Sequence, residues 1–179
     1  MDKQLLEKTK QACASGQKRG IHFIMASVII WTLVLIVHLT SLPIQTKDIL
    51  TFCCTCPLMP LAWLLSKPLG ITFSDKENPL SSLGIVFSVA QIPYLLIVMW
   101  VLAAVPDKMV MIFAMVFGAH LLPFGWLYNS KVYYVMTGVI TLGALIIGLM
   151  YPPHILALCM LVVEIIFCLL LYLENKGLK

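Results

Sequence analysis

Residues 156–176 read LALCMLVVEIIFCLLLYLENK. Up to Leu173 the one charged side chain in this run is Glu164. A hydrocarbon core about 30 Å thick is crossed by about 20 mostly apolar helical residues, so the run reads as a membrane span. An ionised carboxylate near the centre of such a span costs roughly 2.5–3.5 kcal/mol on insertion scales and must face protein or water. The rest of the chain repeats the pattern. Of the 179 residues, 61% are hydrophobic and 11% charged, and the mean hydropathy is +0.99. Soluble domains carry about 25% charge. The reading is an all-α polytopic membrane protein with six spans, at about 21–39, 49–65, 82–105, 109–128, 132–149 and 154–173.

The flanks set the expected topology. Residues 1–19 form a basic tail, either a short interfacial helix or unstructured, with no secretory signal; 20–176 form the six-span domain and 177–179 the C-terminus. Lys3, Lys8, Lys10, Lys18 and Arg19 precede the first span. Lys67 and Lys76, then Lys131, then Lys176 and Lys179 follow on alternate loops. That is ten cations on one side, against Lys47 and Lys108 on the other. Lys and Arg collect on cytoplasmic loops. The expectation is a multi-pass cell (plasma or inner) membrane protein with both termini cytoplasmic. The net charge of +4 then reflects topology and anionic lipid. The lipid bilayer is the expected partner, and no motif points to nucleic acid.

The sequence also resembles itself. GIHFIMAS from Gly20 matches GIVFSVAQ from Gly84 at an offset of 64 residues. Pro43 matches Pro106, Pro60 matches Pro123 and Trp63 matches Trp126, each at 63. Three helical hairpins are expected, the first two being a parallel internal repeat about an axis along the membrane normal. Pro57, His120 and Glu164 lie 10, 11 and 12 residues from Lys67, Lys131 and Lys176. At 1.5 Å per residue that is roughly 15–18 Å, near the midplane.

Polar residues at that depth are the candidates for chemistry. Glu164, His120 and Gln91, with Tyr94 and Trp126, form the expected ligand or proton site. A Glu164–His120 hydrogen bond would satisfy both groups, with Glu164 the proton acceptor. The plain alternative is a polar clamp between helices, each bond worth about 0.6–2 kcal/mol. Pro60 and Pro123 are expected to break their helices. Cys53, Cys56 and Met59 offer soft ligands for a metal such as Cu(I) or a thiol pair, against simple packing of small apolar side chains. No cofactor is implied.

The stretches KENPLSSLGI (76–85), MWVLAAVPDKMVM (99–111) and FGAHLLPFGWLY (117–128) resemble a group of small bacterial inner-membrane proteins of unknown function. The resemblance covers most of the chain after residue 18. It implies a six-helix membrane protein and transfers no catalytic residue. The leading functional reading is small-solute or proton-linked transport, or ligand binding at a midplane site. The alternatives are an intramembrane enzyme using acid–base or thiol chemistry, and an accessory protein with a polar packing clamp. A single bundle of this size is thin for enclosing a pathway, so a homodimer is expected.

Overall fold

The computed structural model describes residues 3–72, 75 and 78–177. Lys76 and Lys179 of the charge pattern lie outside them. All regular structure among the described residues is helical. Six helical stretches are long and apolar enough to cross a membrane: Lys18–Leu39, Ile44–Ser66, Pro79–Ala104, Pro106–Leu127, Lys131–Met150 and Pro153–Lys176. They are preceded by α1 (Lys3–Gly16), which settles the N-terminal segment as a helix.

Three of the six stretches are interrupted. The second comprises α3 (Ile44–Thr55) and α4 (Leu58–Ser66), the third α5 (Pro79–Val89) and α6 (Gln91–Ala104), and the fourth α7 (Met109–His120) and α8 (Leu122–Leu127). The other three are α2 (Ile21–Leu39), continuous once past the junction at 18–20, and the unbroken α9 (Lys131–Met150) and α10 (Pro153–Lys176). Proline explains the interruptions. It has no N–H for the carbonyl four residues back, and its ring crowds that carbonyl. Pro60, Pro93 and Pro123 therefore cost Cys56, Val89 and Ala119 their helical donors, and each break falls two to four residues before the proline, with Pro57 itself inside the first. The chain tightens there, with Cys56 N–H bonded to Cys53 O at 3.3 Å, Leu121 to Gly118 at 3.2 Å and Phe124 to Leu121 at 3.1 Å. Pro60 and Pro123 thus sit in the first turn of the helix after the break, where proline is tolerated. The break before Pro93 interrupts a stretch that reads as continuous in the sequence.

Helix starts follow local chemistry. The Asn78 side chain accepts from Leu80 N–H ahead of Pro79, and Ser130 accepts from Tyr133 N–H, both N-cap bonds.

The bundle is built around α2, α7 and α10. Trp31 of α2 meets Phe113 and Phe117 of α7, with ring centroids 5.7 and 6.4 Å away. At Gly118, α7 presses on α9 so closely that a Cβ there would sit 2.7 Å from Ile140 Cγ2. Small interfacial residues permit such approach in membranes. In the first stretch 50% of the most apolar window is buried, in the third only 11%. The third therefore lies at the periphery, with Leu96, Met99 and Trp100 exposed, as suits a lipid-facing helix. Both chain ends share one face: Arg19 donates to Glu174 O at 3.1 Å and to Asn175 Oδ1 at 3.0 Å.

Candidate functional site

The three breaks meet. Thr55, Cys56 and Leu58 from the first, Val89 and Gln91 from the second, and His120 and Leu121 from the third all line one cavity of about 350 Å³. Ligand pockets start at about 300 Å³. Phe23 and Ile24 of α2 and Phe113 and Phe117 of α7 supply its apolar back. A smaller space of about 180 Å³ adjoins it, lined by Gln91, Tyr94, His120 and Pro123 among others. Gln91 and His120 border both spaces, so the polar groups stand where the two join. No Lys, Arg, Asp or Glu among the described residues lines either space.

The state of His120 follows from its partner. Its Nδ1 lies 2.5 Å from Phe117 O. A carbonyl can only accept, so Nδ1 carries the proton, and in the neutral ring Nε2 is left as an acceptor. Gln91 brings both a donor pair and an acceptor. The site can therefore give and receive hydrogen bonds without placing a charge in the membrane interior.

The end of the cavity nearest the chain termini is closed by a polar group. Tyr128 donates to Gln17 Oε1 at 2.6 Å, and Gln17 Nε2 donates to Ser81 Oγ at 3.1 Å. All three residues line the cavity. Tyr128 lies outside the spanning stretches, and burial, with a smaller push from Cys13, holds its hydroxyl well above its ordinary pKa. It therefore stays a donor.

Of the residues expected from sequence, Gln91, Tyr94 and His120 come together around one space. Glu164 does not join them. It is fully buried and accepts a hydrogen bond from Ser27 of α2 through Oε2, while Oε1 has no partner among the described residues. The expected Glu164–His120 bond is replaced by these two separate arrangements: His120 faces the third span, and Glu164 is held against the first. Trp126 is also elsewhere, since Lys10 Nζ sits 4.6 Å from its ring centroid, a cation–π contact that docks α1. Cys56 and Met59 line the cavity, whereas Cys53 does not. The six cysteines are free thiols, and no three His, Cys, Asp or Glu side chains among the described residues gather as a metal site.

Sequence reasoning missed Ser27, Gln17, Tyr128 and Tyr133, none of which carries a recognisable spacing. It also missed Asp48, which is fully buried with neither carboxylate oxygen hydrogen-bonded among the described residues. Nearby, His38 Nε2 lies 3.1 Å from Thr51 Oγ1. Thr51 already donates to Lys47 O, so the imidazole is the donor to it.

Residues 6–174 match a family model described as a family of unknown function, DUF7010. The chain belongs to that family. No curated protein and no solved structure matches it.

Proposed function

We propose that the protein binds and passes a small, neutral, amphipathic solute through the cavity between its broken spans. The observation that carries this is the convergence of three helix breaks on one cavity. Transporters use discontinuous helices for such sites because the interrupted backbone offers polar groups at a depth where an intact helix offers none. The uncharged lining argues for a neutral solute, because a buried charge without a partner is strongly unfavourable. The aromatic wall would take the apolar body, and Gln91 with His120 the polar head. Gly20 and Gly84, matched in the two sequence copies, both border the cavity, which fits a site between repeat units. The charge asymmetry supports a cell-membrane orientation with both termini cytoplasmic.

The test uses purified protein in lipid nanodiscs and a series of medium-chain primary alcohols and amides. Saturable thermal stabilisation by members of one chain length, reduced at least tenfold in affinity by His120→Ala and Gln91→Ala, is expected. If no member stabilises the protein, or both variants respond like wild type, the reading fails.

Glu164 favours a second role in the same protein. Sealed from both spaces and bonded to Ser27, it fits the polar clamp between α2 and α10.

A further inference from the structure

The helix α1 is held by two different parts of the molecule, one at the junction that follows it and one along its body. Its own chain continues into α2 through Lys18, Arg19 and Gly20, with φ of 45, 50 and 68°. Left-handed backbone is unfavourable for residues with a Cβ, and two of these three have one. The junction is held by the end of α10: Arg19 bonds Glu174 O and Asn175 Oδ1, and Asn175 Nδ2 donates to Lys18 O at 2.9 Å. Tyr133 donates to Arg19 O at 2.8 Å.

The body of α1 rests elsewhere, on the third and fourth spans and the segment between spans two and three. Asn78 Nδ2 donates to Thr9 O at 3.1 Å, and Thr72 N–H donates to Gly16 O at 3.1 Å. Lys10 stacks on Trp126. Gln17 bonds Ser81 and Tyr128 across the end of the cavity. These are mainly polar attachments that water can replace one for one, whereas the apolar part of the docked face is limited to Cys13 and Ala14, which are buried, and Leu6, which is partly buried against the core. A left-handed joint held in place by α10 therefore carries a helix whose seat is exchangeable, and Gln17, the residue between helix and joint, closes the cavity.

We propose that α1 is a lid on the cavity, latched by Gln17 and swinging about residues 18–20. Docked, it shuts the cavity at the face that carries both chain ends; released, it opens the cavity to the water on that side. The gating role rests on the solute reading above, whereas the latch itself does not.

Cys13 is a native reporter. It is buried under α1, and burial, with a smaller contribution from Asp75, pushes its thiol up to about 11. Both effects suppress reaction with maleimide while the lid is shut, since the thiolate is the nucleophile. Wild type and Gln17→Ala, in nanodiscs at neutral pH, are pulsed with N-ethylmaleimide, and each cysteine is read by peptide mass spectrometry. Cys168, within α10, reports unfolding of the bundle. The expected result is Cys13 labelling at least tenfold faster in Gln17→Ala, with Cys168 unchanged. Equal Cys13 rates in the two proteins, or Cys13 labelling only in step with Cys168, would overturn the lid. Adding octanol separates the two ideas. If Gln17→Ala frees Cys13 and no alcohol of the series stabilises the protein, the latch stands and the solute reading falls.

Discussion

Ser27 and Glu164 stand 137 residues apart in the chain and are joined by a hydrogen bond inside the bundle, the serine hydroxyl donating to Oε2 of the carboxyl group. The bond ties the first span to the sixth at a point where neither residue is reached by solvent. Removing a partner from a buried polar group exposes its full desolvation penalty, about 1–3 kcal/mol. Ser27→Ala should therefore destabilise the protein by that amount, because it leaves both oxygens of Glu164 without a partner. Glu164→Gln keeps an acceptor for Ser27 and should cost less. Thermal unfolding of both variants in one detergent checks the order. Alcohol binding should survive Glu164→Gln, since Glu164 lines neither space; its abolition with an unchanged melting temperature would move Glu164 from the clamp to the site.

Gly118 gives a prediction about packing alone. A methyl group there would lie 2.7 Å from Thr141 Oγ1 and 2.9 Å from Thr141 backbone N. Side-chain ends can move aside, but a helix backbone cannot without shifting α9. Gly118→Ala should cost about 1–3 kcal/mol, the usual range for overpacking. Gly138 lies in α9 with nothing within 4 Å of a built Cβ, so Gly138→Ala should be neutral or gain no more than about 1 kcal/mol. Equal effects from the two substitutions would show that α7 and α9 are not in the close contact described.

Cys13 predicts a pH dependence with a definite sign. Its ordinary pKa of 9.0 rises to about 11 under the docked helix. Below about pH 9 the thiol is protonated whether α1 is docked or not, and its contribution is constant. Between about 9 and 11 the undocked thiol loses its proton while the docked one keeps it, so rising pH favours undocking. Above about 11 the slope ends. Wild type should lose stability relative to Cys13→Ala across that window and not below it. Tyr128, raised chiefly by burial with a smaller push from Cys13, adds a slope of the same sign, and only that smaller part of it is lost together with Cys13 in the variant. Parallel stability curves from pH 8 to 11 would show that Cys13 is not shielded under α1.

The spans were legible because their cause is local: about 20 apolar residues in a row suffice to cross a bilayer. The breaks were legible in part. Pro60 and Pro123 mark two of them, yet each interruption lies before its proline, at or just after the residue that loses the hydrogen bond. Pro93 carried the same signal in the third stretch and passed unread inside QIPYLLIVMW. The site divides likewise. Gln91, Tyr94 and His120 stand out as polar residues in apolar helices and do share a space. The partner of Glu164 was illegible because a serine such as Ser27 can satisfy itself on its own backbone and gives no pattern. The left-handed run at 18–20 was legible only at Gly20; Lys18 and Arg19 adopt it because Asn175, Glu174 and Tyr133 hold them there. Those contacts join residues more than 110 positions apart, beyond any local reading.

The prolines give the last prediction. Each of Pro60, Pro93 and Pro123 lies in the first turn of α4, α6 or α8, where the missing N–H costs the following helix nothing. Its effect falls on the preceding end of the span, through Cys56, Val89 and Ala119. Replacing Pro93 or Pro123 by alanine returns a donor to that carbonyl and lets the two halves of the span fuse, whereas in the second span Pro57 keeps the break. A fused fourth span would draw Ala119 and His120 into a regular helix and withdraw the polar edge shared by the two spaces. Pro123→Ala should therefore leave the melting temperature equal or higher while weakening alcohol binding at least tenfold, and Pro93→Ala should do the same through Gln91. Lower stability with intact binding would mean that the breaks are set by packing against neighbouring spans, with proline only accommodated there, and the cavity would then owe its shape to the bundle as a whole.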